Sequence, residues 1–365
     1  VFGGEIVSRK DRQSRFLNGF LFKNIKLNPK PTLSKNDIRS QINETFGKTR
    51  SIETSLGVLP TSDGYRLAYQ CQVFKDLHQD YTLYLDAHSG KILRGYNQID
   101  SLYTDENVKS IAQIPLPNPL HAAKENKLKL ANGSGKTLKN RHVNISISQF
   151  RRNQLYMLYD PEKKILTADA KNDFRLDVIG AFTPNHKNDD PVFVVSKNPR
   201  LWNNPSAVSA HYHAEKVHEF LLTKLKRNSF DDRGNPVFSV VNVVSPEGNL
   251  DNAFFIPRLS LMVYFVGSWN GKTGLFKNTA GAIDVTAHEF AHGVTAHTSK
   301  LEYINESGAI NESFSDMFGV AVEYFMDKDN FEWAIGEDIM APLTAYSGGI
   351  RFMDHPHKRK QPDTY

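Results

Sequence analysis

The sequence predicts an α+β protein assembled from more than one module. Three observations carry that reading. A helix signal followed by alternating strand patterns closes before residue 101, short strands fill residues 143–167 and return at 236–244 and 251–255, and beyond residue 283 the pattern turns helical. A chain of 365 residues with 39% hydrophobic content is long enough for two or three domains and a sizeable core.

Taken in order, Ser34 with Asp37 three residues later reads as a capping box that opens a short helix marked by Ile38, Ile42 and Phe46. "YRLAYQCQVF" (65–74) alternates as a strand should. "YTLYLDAHSGKILRGYN" (81–97) reads as two strands joined by a turn at 87–90. Residues 101–130 change character: Pro115, Pro117 and Pro119 lead into a lysine-rich, weakly patterned stretch that reads as an exposed connector open to proteolysis. "GSGKT" (133–137) lacks the glycine a phosphate loop needs, because Leu130 stands five residues before Gly135; a flexible loop is expected there instead. After Asn204 and Pro205, a cap and first helical position, apolar residues from Ala210 to Leu225 recur at helical spacing. His211, His213 and His218 on that helix read as structural or solvent-facing.

Composition excludes some functions. The formal charge of +5 is mild and spread along the chain, so no nucleic-acid partner is expected, and "HKRK" (357–360) reads as a solvated loop. The single cysteine, Cys71, forbids an internal disulfide. No apolar run approaches the roughly 20 residues of a membrane span. The chain opens on Val1 and Phe2, so any signal peptide is expected to lie outside it. Sequons at Asn43, Asn132 and Asn144 are compatible with a secretory route.

Chemistry concentrates in "TAHEFAHGVTAH" (286–297). His288 and His292, four apart on a helix, project to one side and can offer two imidazole nitrogens to one ion. Glu289 is turned about 100° away, better placed to hold a metal-bound water than to be a ligand. A third histidine of the H-E-x-x-H-x-x-G-x-x-H type is excluded by Thr295 and Thr298, and His297 reads as a surface residue. The second helix supplies the missing ligand. Ala309, Ile310, Phe314, Met317, Phe318, Val320, Val322 and Phe325 predict a helix buried most of the way round, yet Glu312, Asp316 and Glu323 share a stripe on it. Buried carboxylates are costly unless cations or donors compensate. Glu312 is expected to face a zinc, with Asp316 accepting from the far nitrogen of a ligand histidine. Asp284, four residues before His288, is expected to meet Glu323 at an all-oxygen site suited to calcium.

These residues resemble the thermolysin-like (M4 type) zinc metalloendopeptidases. The matching segments are "DNAFF", "DVTAHEFAHGVTAHTS", "YINESGAINESFSD", "WAIGED" and "IRFMDHP", and the twenty-residue step from His292 to Glu312 is that family's spacing. "VFGGEIVS…NGFLF" resembles the end of a propeptide module, and the following stretch resembles a PepSY-type module. The resemblance implies a secreted proenzyme. Its parts would be a propeptide end at 1–33, a PepSY-like helix-plus-sheet module at 34–100, and a linker with the maturation region at 101–130. A β-rich protease domain at 131–287 would follow, then the zinc-binding helix and an incomplete all-α domain at 288–365. It further implies zinc on His288, His292 and Glu312, Glu289 as general base, and Asp316 behind a ligand histidine. Tyr303 would donate to the developing oxyanion. Asn252 and Ala253 would bind substrate backbone, and Arg351 the carbonyl past the scissile bond. Phe276, Val285, Ile335, Ile339 and Ile350 would line an apolar pocket for a bulky hydrophobic residue on the leaving-group side. The partners implied are peptide or protein substrates and the chain's own propeptide, as inhibitor or folding aid.

Three departures shape these expectations. The chain stops at Tyr365, before the segment expected to complete the oxyanion site. Ala334 stands where a carboxylate of a paired calcium site is expected, and Glu332 replaces an aspartate, so one calcium on Asp284, Glu323 and Glu337 is expected rather than two. "FFIPRLSLMVYFVGSW" is longer and more apolar than its counterpart. The rival reading is a noncatalytic zinc-binding protein acting in inhibition or assembly.

Overall fold

In the computed structural model the described residues are 6–10, 15–19, 25–47, 49, 51–61, 64–76, 79–97, 128–150, 155–172, 193–244, 251–256, 259–342 and 348–361. Most of the expected connector, and the stretch 245–250 between the strand patterns at 236–244 and 251–255, lie outside them. The chain divides into two compact units, Val1–Gln98 and Ile99–Tyr365.

The first unit begins with a two-stranded antiparallel hairpin, β1 (Ile6–Lys10) and β2 (Arg15–Gly19). Helix α1 (Lys35–Phe46) starts at Ser34, whose hydroxyl accepts from the Asp37 amide at 3.3 Å while the Asp37 carboxylate accepts from the Ser34 amide at 2.7 Å. Two orphan donors of the helix start are thereby satisfied. A four-stranded antiparallel sheet follows in the order β3 (Ser51–Thr61), β4 (Gly64–Asp76), β5 (Gln79–Asp86), β6 (Ile92–Asn97). Ile38 and Ile42 of α1 pack with Leu67, Tyr69, Cys71, Val73, Leu83 and Leu85, giving this unit a core of its own. Asp86 fixes the β5–β6 turn by accepting from the amides of His88 and Ser89, both at 2.9 Å. Strand β3 has no counterpart in the sequence reading. It carries one buried residue, Leu59, and includes Pro60, so it lacks the alternation that marks its neighbours.

The second unit holds two sheets. One is four-stranded and antiparallel, in the order β12 (Val195–Ser196), β9 (Tyr156–Met157), β8 (His142–Phe150), β7 (Leu128–Lys136). The other is five-stranded and mixed, in the order β10 (Tyr159–Asp160), β11 (Ile165–Asp169), β13 (Val237–Val243), β15 (Leu261–Phe265), β14 (Ala253–Ile256). Its three inner strands run parallel and are almost wholly buried, as parallel strands covered on both faces should be. Strand β14, the "DNAFF" segment, forms one edge.

Residues 128–142 overturn the expectation of a connector and flexible loop: they are β7 and its turn, paired with β8 from Leu128↔Phe150 to Lys136↔His142. The glycines serve close approach here, not mobility. A Cβ on Gly133 would stand 2.6 Å from the Pro199 carbonyl, and one on Gly135 2.8 Å from Val208.

Three long helices complete the unit. Helix α2 (Pro205–Lys224) is capped by the Asn204 side chain, which accepts from the Ala207 amide at 2.9 Å. Its histidines are buried, and His211 bridges Thr167 and the Ser146 carbonyl. Helix α3 (Ile283–His297) is anchored by Thr286, whose hydroxyl accepts from Tyr264 at 3.1 Å. Helix α4 (Asn305–Met326) lies on α3, where a Cβ on Gly319 would come within 2.9 Å of the Asp284 carbonyl oxygen.

Helix α4 also corrects the sequence reading. It is not buried most of the way round: Ile310, Phe314 and Met317 are 45–50% exposed. Its inward face carries Asn311, Ser315, Gly319 and Val322, mostly small or polar residues. The contact with α3 is organised around polar groups, so the large apolar residues are displaced to other faces. Two short strands, β16 (Ala334–Ile335) and β17 (Arg351–Phe352), pair antiparallel and flank the 3₁₀ turn Glu337–Ile339. Among the described residues no helix is long and apolar enough to cross a membrane.

Candidate functional site

Helix α3 has no proline, and its four-residue step puts His288 and His292 on one face, both essentially buried. Their Nε2 atoms lie 3.1 Å apart, with the rings nearly perpendicular. Glu312, on the facing turn of α4, reaches between them: Oε2 is 3.4 Å from His288 Nε2 and Oε1 is 3.4 Å from His292 Nε2. Ligand atoms on a tetrahedral zinc with bonds of about 2.0–2.1 Å stand about 3.3–3.4 Å from one another, and this set of two imidazoles and one carboxylate fits that spacing.

The far side of each imidazole is also held. His288 Nδ1 lies 2.8 Å from Asp316 Oδ1, an ion-pair contact rather than an aligned hydrogen bond. His292 Nδ1 lies 3.0 Å from Asn311 Oδ1 and 3.2 Å from the Ser315 hydroxyl. Such partners fix the ring's tautomer and leave Nε2 free to ligate. Asn311 and Ser315 escaped the sequence reading. A signal was present: in "INESFS" they flank Glu312 four residues apart, on the face turned to the histidines.

Glu289 is fully buried beside this group. Its Oε2 accepts from the Phe255 amide of β14 at 3.1 Å, while Oε1 is buried with no partner. Its atoms share with those of His288 and His292 a space compact enough for one ion's surroundings, every ligating pair within 4.8 Å. Tyr303, in the turn before α4, donates its hydroxyl to Glu312 Oε1. Arg351 of β17 forms two 2.6 Å bonds to Asp316 and lies 3.8 Å from Glu312. Asn252 and Ala253 stand at the start of β14, with Ala253 fully buried and the Asn252 side-chain oxygen buried without a partner. The five apolar residues expected to line a pocket belong to the main core instead: Phe276, Val285, Ile335 and Ile339 are at most 3% exposed, and Ile350 is half-buried. His297 is exposed and apart from the site, its Nδ1 2.9 Å from the Gly293 carbonyl.

Electrostatics follow from burial and pairing. Burial pushes the Glu289 carboxyl up to about 8. Burial disfavours a charged His288, but the Asp316 and Glu312 carboxylates outweigh it and raise that imidazole to about 10. Burial and the neighbouring His288 cation lower His292 to about 4. Glu312 resists its own burial because His288 bonds to it, and is held well below the ordinary carboxylate range. A divalent ion entering between Glu312 and the imidazoles must displace the His288 proton.

A second acidic group lies at the other end of the α3–α4 contact. Ligand atoms of Glu323, Glu337 and Asp338 lie within 4.8 Å of one another. Asp284 is fully buried, accepts from the Gly336 amide through Oδ2, and has no partner for Oδ1. Burial, then mutual repulsion, raises Asp284 to about 6, Glu323 to about 7 and Glu337 to about 10. Asp338 was missed from sequence, although it is adjacent to Glu337 in "GED".

Comparison with known proteins gives this geometry a family. Residues 132–296 match the model of the thermolysin metallopeptidase catalytic domain, and residues 299–365 that of its alpha-helical domain. Bacillolysin of Bacillus cereus is 35% identical over 290 residues, covering 78% of this chain and 47% of that protein. Neutral protease NprE of Bacillus pumilus is 35% identical over 242 residues, covering 64% of this chain and 69% of that protein. The solved precursor of protealysin, a metalloproteinase from Serratia proteamaculans, aligns at 28% identity over 52% of each chain with a TM-score of 0.40. The chain spans about half the length of the first of these relatives. With both domain models matched across the residues that build the site, this chain belongs to the thermolysin metallopeptidase family.

Proposed function

We propose that the chain is the precursor form of a secreted zinc-dependent endopeptidase. The observation that carries this reading is the convergence of His288, His292 and Glu312 on one point, each side chain held by a partner behind it, with the buried carboxylate of Glu289 alongside. His288, His292 and Glu312 would hold the zinc. Bound there, zinc supplies Lewis-acid polarisation of the scissile carbonyl and a more acidic water.

The chain's own groups do the rest. Glu289 takes a proton from the attacking water and returns it to the departing amine, a role its raised affinity for protons suits. Asp316 and Asn311 keep the imidazoles oriented. Tyr303, one hydrogen bond from Glu312, donates to the oxyanion as it develops. Asn252 and Ala253, at the start of an edge strand, hold substrate backbone, and Arg351 holds the carbonyl beyond the scissile bond. Ile350, the half-buried chain neighbour of Arg351, favours a bulky hydrophobic residue on the leaving-group side. Asp284, Glu323, Glu337 and the additional Asp338 hold one calcium, a fit supported by the orphaned Asp284 oxygen. Residues 1–33 and 34–100 serve as propeptide modules, supported by the separate core of the first unit.

The test is metal analysis of the full chain together with casein hydrolysis, before and after removal of residues 1–127, which leaves β7 whole. One zinc per chain and chelator-sensitive hydrolysis are expected. Zinc without hydrolysis would turn the reading toward a noncatalytic role, and no zinc would end it.

A further inference from the structure

The acidic cluster carries four carboxylates but has a cation of its own beside it. Lys139, in the turn joining β7 and β8, forms an ion pair with Asp338. Two observations show that this contact is built. The turn is closed by backbone bonds, Thr137 amide to Arg141 carbonyl at 2.9 Å and Asn140 amide to Thr137 carbonyl at 3.0 Å, with Asn140 in the left-handed region at φ 60°. The turn is also tied down, because the Leu138 amide donates to the Ser209 hydroxyl of α2 at 2.9 Å. The ammonium is therefore delivered to the cluster from a sequence distance of 199 residues by an anchored hairpin.

Resting on the reading of this cluster as a cation site, we propose that Lys139 is a built-in counter-charge that loosens the hold of the Asp284–Glu323–Glu337–Asp338 site on its single divalent ion. The buried, unpartnered Oδ1 of Asp284 and Oε2 of Glu337 mark where the ion is taken. Around them Asp284 Oδ2 already serves the Gly336 amide, Glu323 Oε2 the Glu332 amide at 3.4 Å, and Asp338 Oδ2 the lysine. The uncommitted oxygens, completed by water, suffice for one ion of about six to eight ligands and not for two. Charge points the same way. Four carboxylates and one divalent ion leave two negative charges, which Lys139 reduces to one; a second divalent ion would make the group net positive. The Lys139 side chain is 40% exposed, so its repulsion of the bound ion is screened, and its removal is worth about tenfold in affinity.

The experiment is calcium titration calorimetry on the zinc-loaded full chain, comparing wild type, Lys139→Met, Lys139→Arg and Glu337→Gln. The expected result is one calcium per wild-type chain, lost or much weakened in Glu337→Gln, bound about tenfold tighter in Lys139→Met and unchanged in Lys139→Arg. Two calcium ions in the wild type, or equal affinity in wild type and Lys139→Met, would overturn the role of Lys139. No calcium in either, with zinc and fold intact, would instead overturn the underlying cation site.

Discussion

Glu289 has one oxygen held by a backbone amide and the other buried without a partner. Glu289→Gln keeps the shape and removes the proposed base, so kcat is expected to fall by about 10²–10⁴-fold while zinc content, measured by atomic absorption, stays at wild type. Asp316→Asn should weaken zinc binding by about 10–100-fold, because it removes the charge behind His288 and leaves Arg351 facing an uncharged amide. A competitive chelator titration measures it. His213 argues a different point. Burial, then the Lys139 charge, lowers it to about 3 from the model-peptide 6.5, so the unfolded chain binds a proton that the folded chain refuses between those values. Stability is then complete above about 6.5 and lost as pH falls toward about 3, with a slope of up to about 1.4 kcal/mol per pH unit from this residue. Urea denaturation of the chelated chain at stepped pH should show a shallower slope for His213→Gln. At this scale the sequence reached the residues that obey a period. His288, Glu289, His292, Glu312 and Asp316 follow from helical steps of one and four; Asn311 and Ser315 share the four-residue step but are not residue types that announce a metal site, and Lys139 acts through an ion pair 199 residues away that imposes no spacing on the chain.

At the level of elements, the α3–α4 contact depends on one missing side chain. Gly319→Ala would gain about 1 kcal/mol of helix propensity. Against that, its Cβ would press to 2.9 Å on the backbone carbonyl of Asp284, an atom that cannot rotate away, and overpacking of that kind costs about 1–3 kcal/mol. Net destabilisation is expected, seen as a lower melting temperature, together with weaker zinc and calcium binding, because both proposed sites span this contact. An unchanged melting temperature would mean the helices can part without loss. Elements with local determinants were legible: the Ser34 capping box, the Asn204–Pro205 start of α2, and the alternation of β4 and β5 all form where the pattern puts them. Strand β7 was not, because glycines that permit tight packing are written with the same letter as glycines that loosen a loop. Helix α4 was misread for a related reason: its buried face is set by ligation and close approach, so apolar residues do not mark it.

Over the whole molecule, two units with separate cores should also unfold separately, and the chain contains a private probe for each. All three tryptophans, Trp202, Trp269 and Trp333, belong to the second unit, so tryptophan fluorescence follows it alone. The single cysteine, Cys71, is fully buried in the first, where burial pushes its thiol up to about 12. Thiolate is the reactive form, so labelling by an aromatic disulfide must wait for that unit to open. The zinc and calcium proposed for the second unit would stabilise its folded state through mass action. Chelating both ions is therefore expected to move the fluorescence midpoint in urea to lower concentration while the Cys71 labelling rate at each urea concentration stays the same. Were the two probes to shift together on chelation, the chain would unfold as one cooperative system, and the independence argued from the two cores would be wrong.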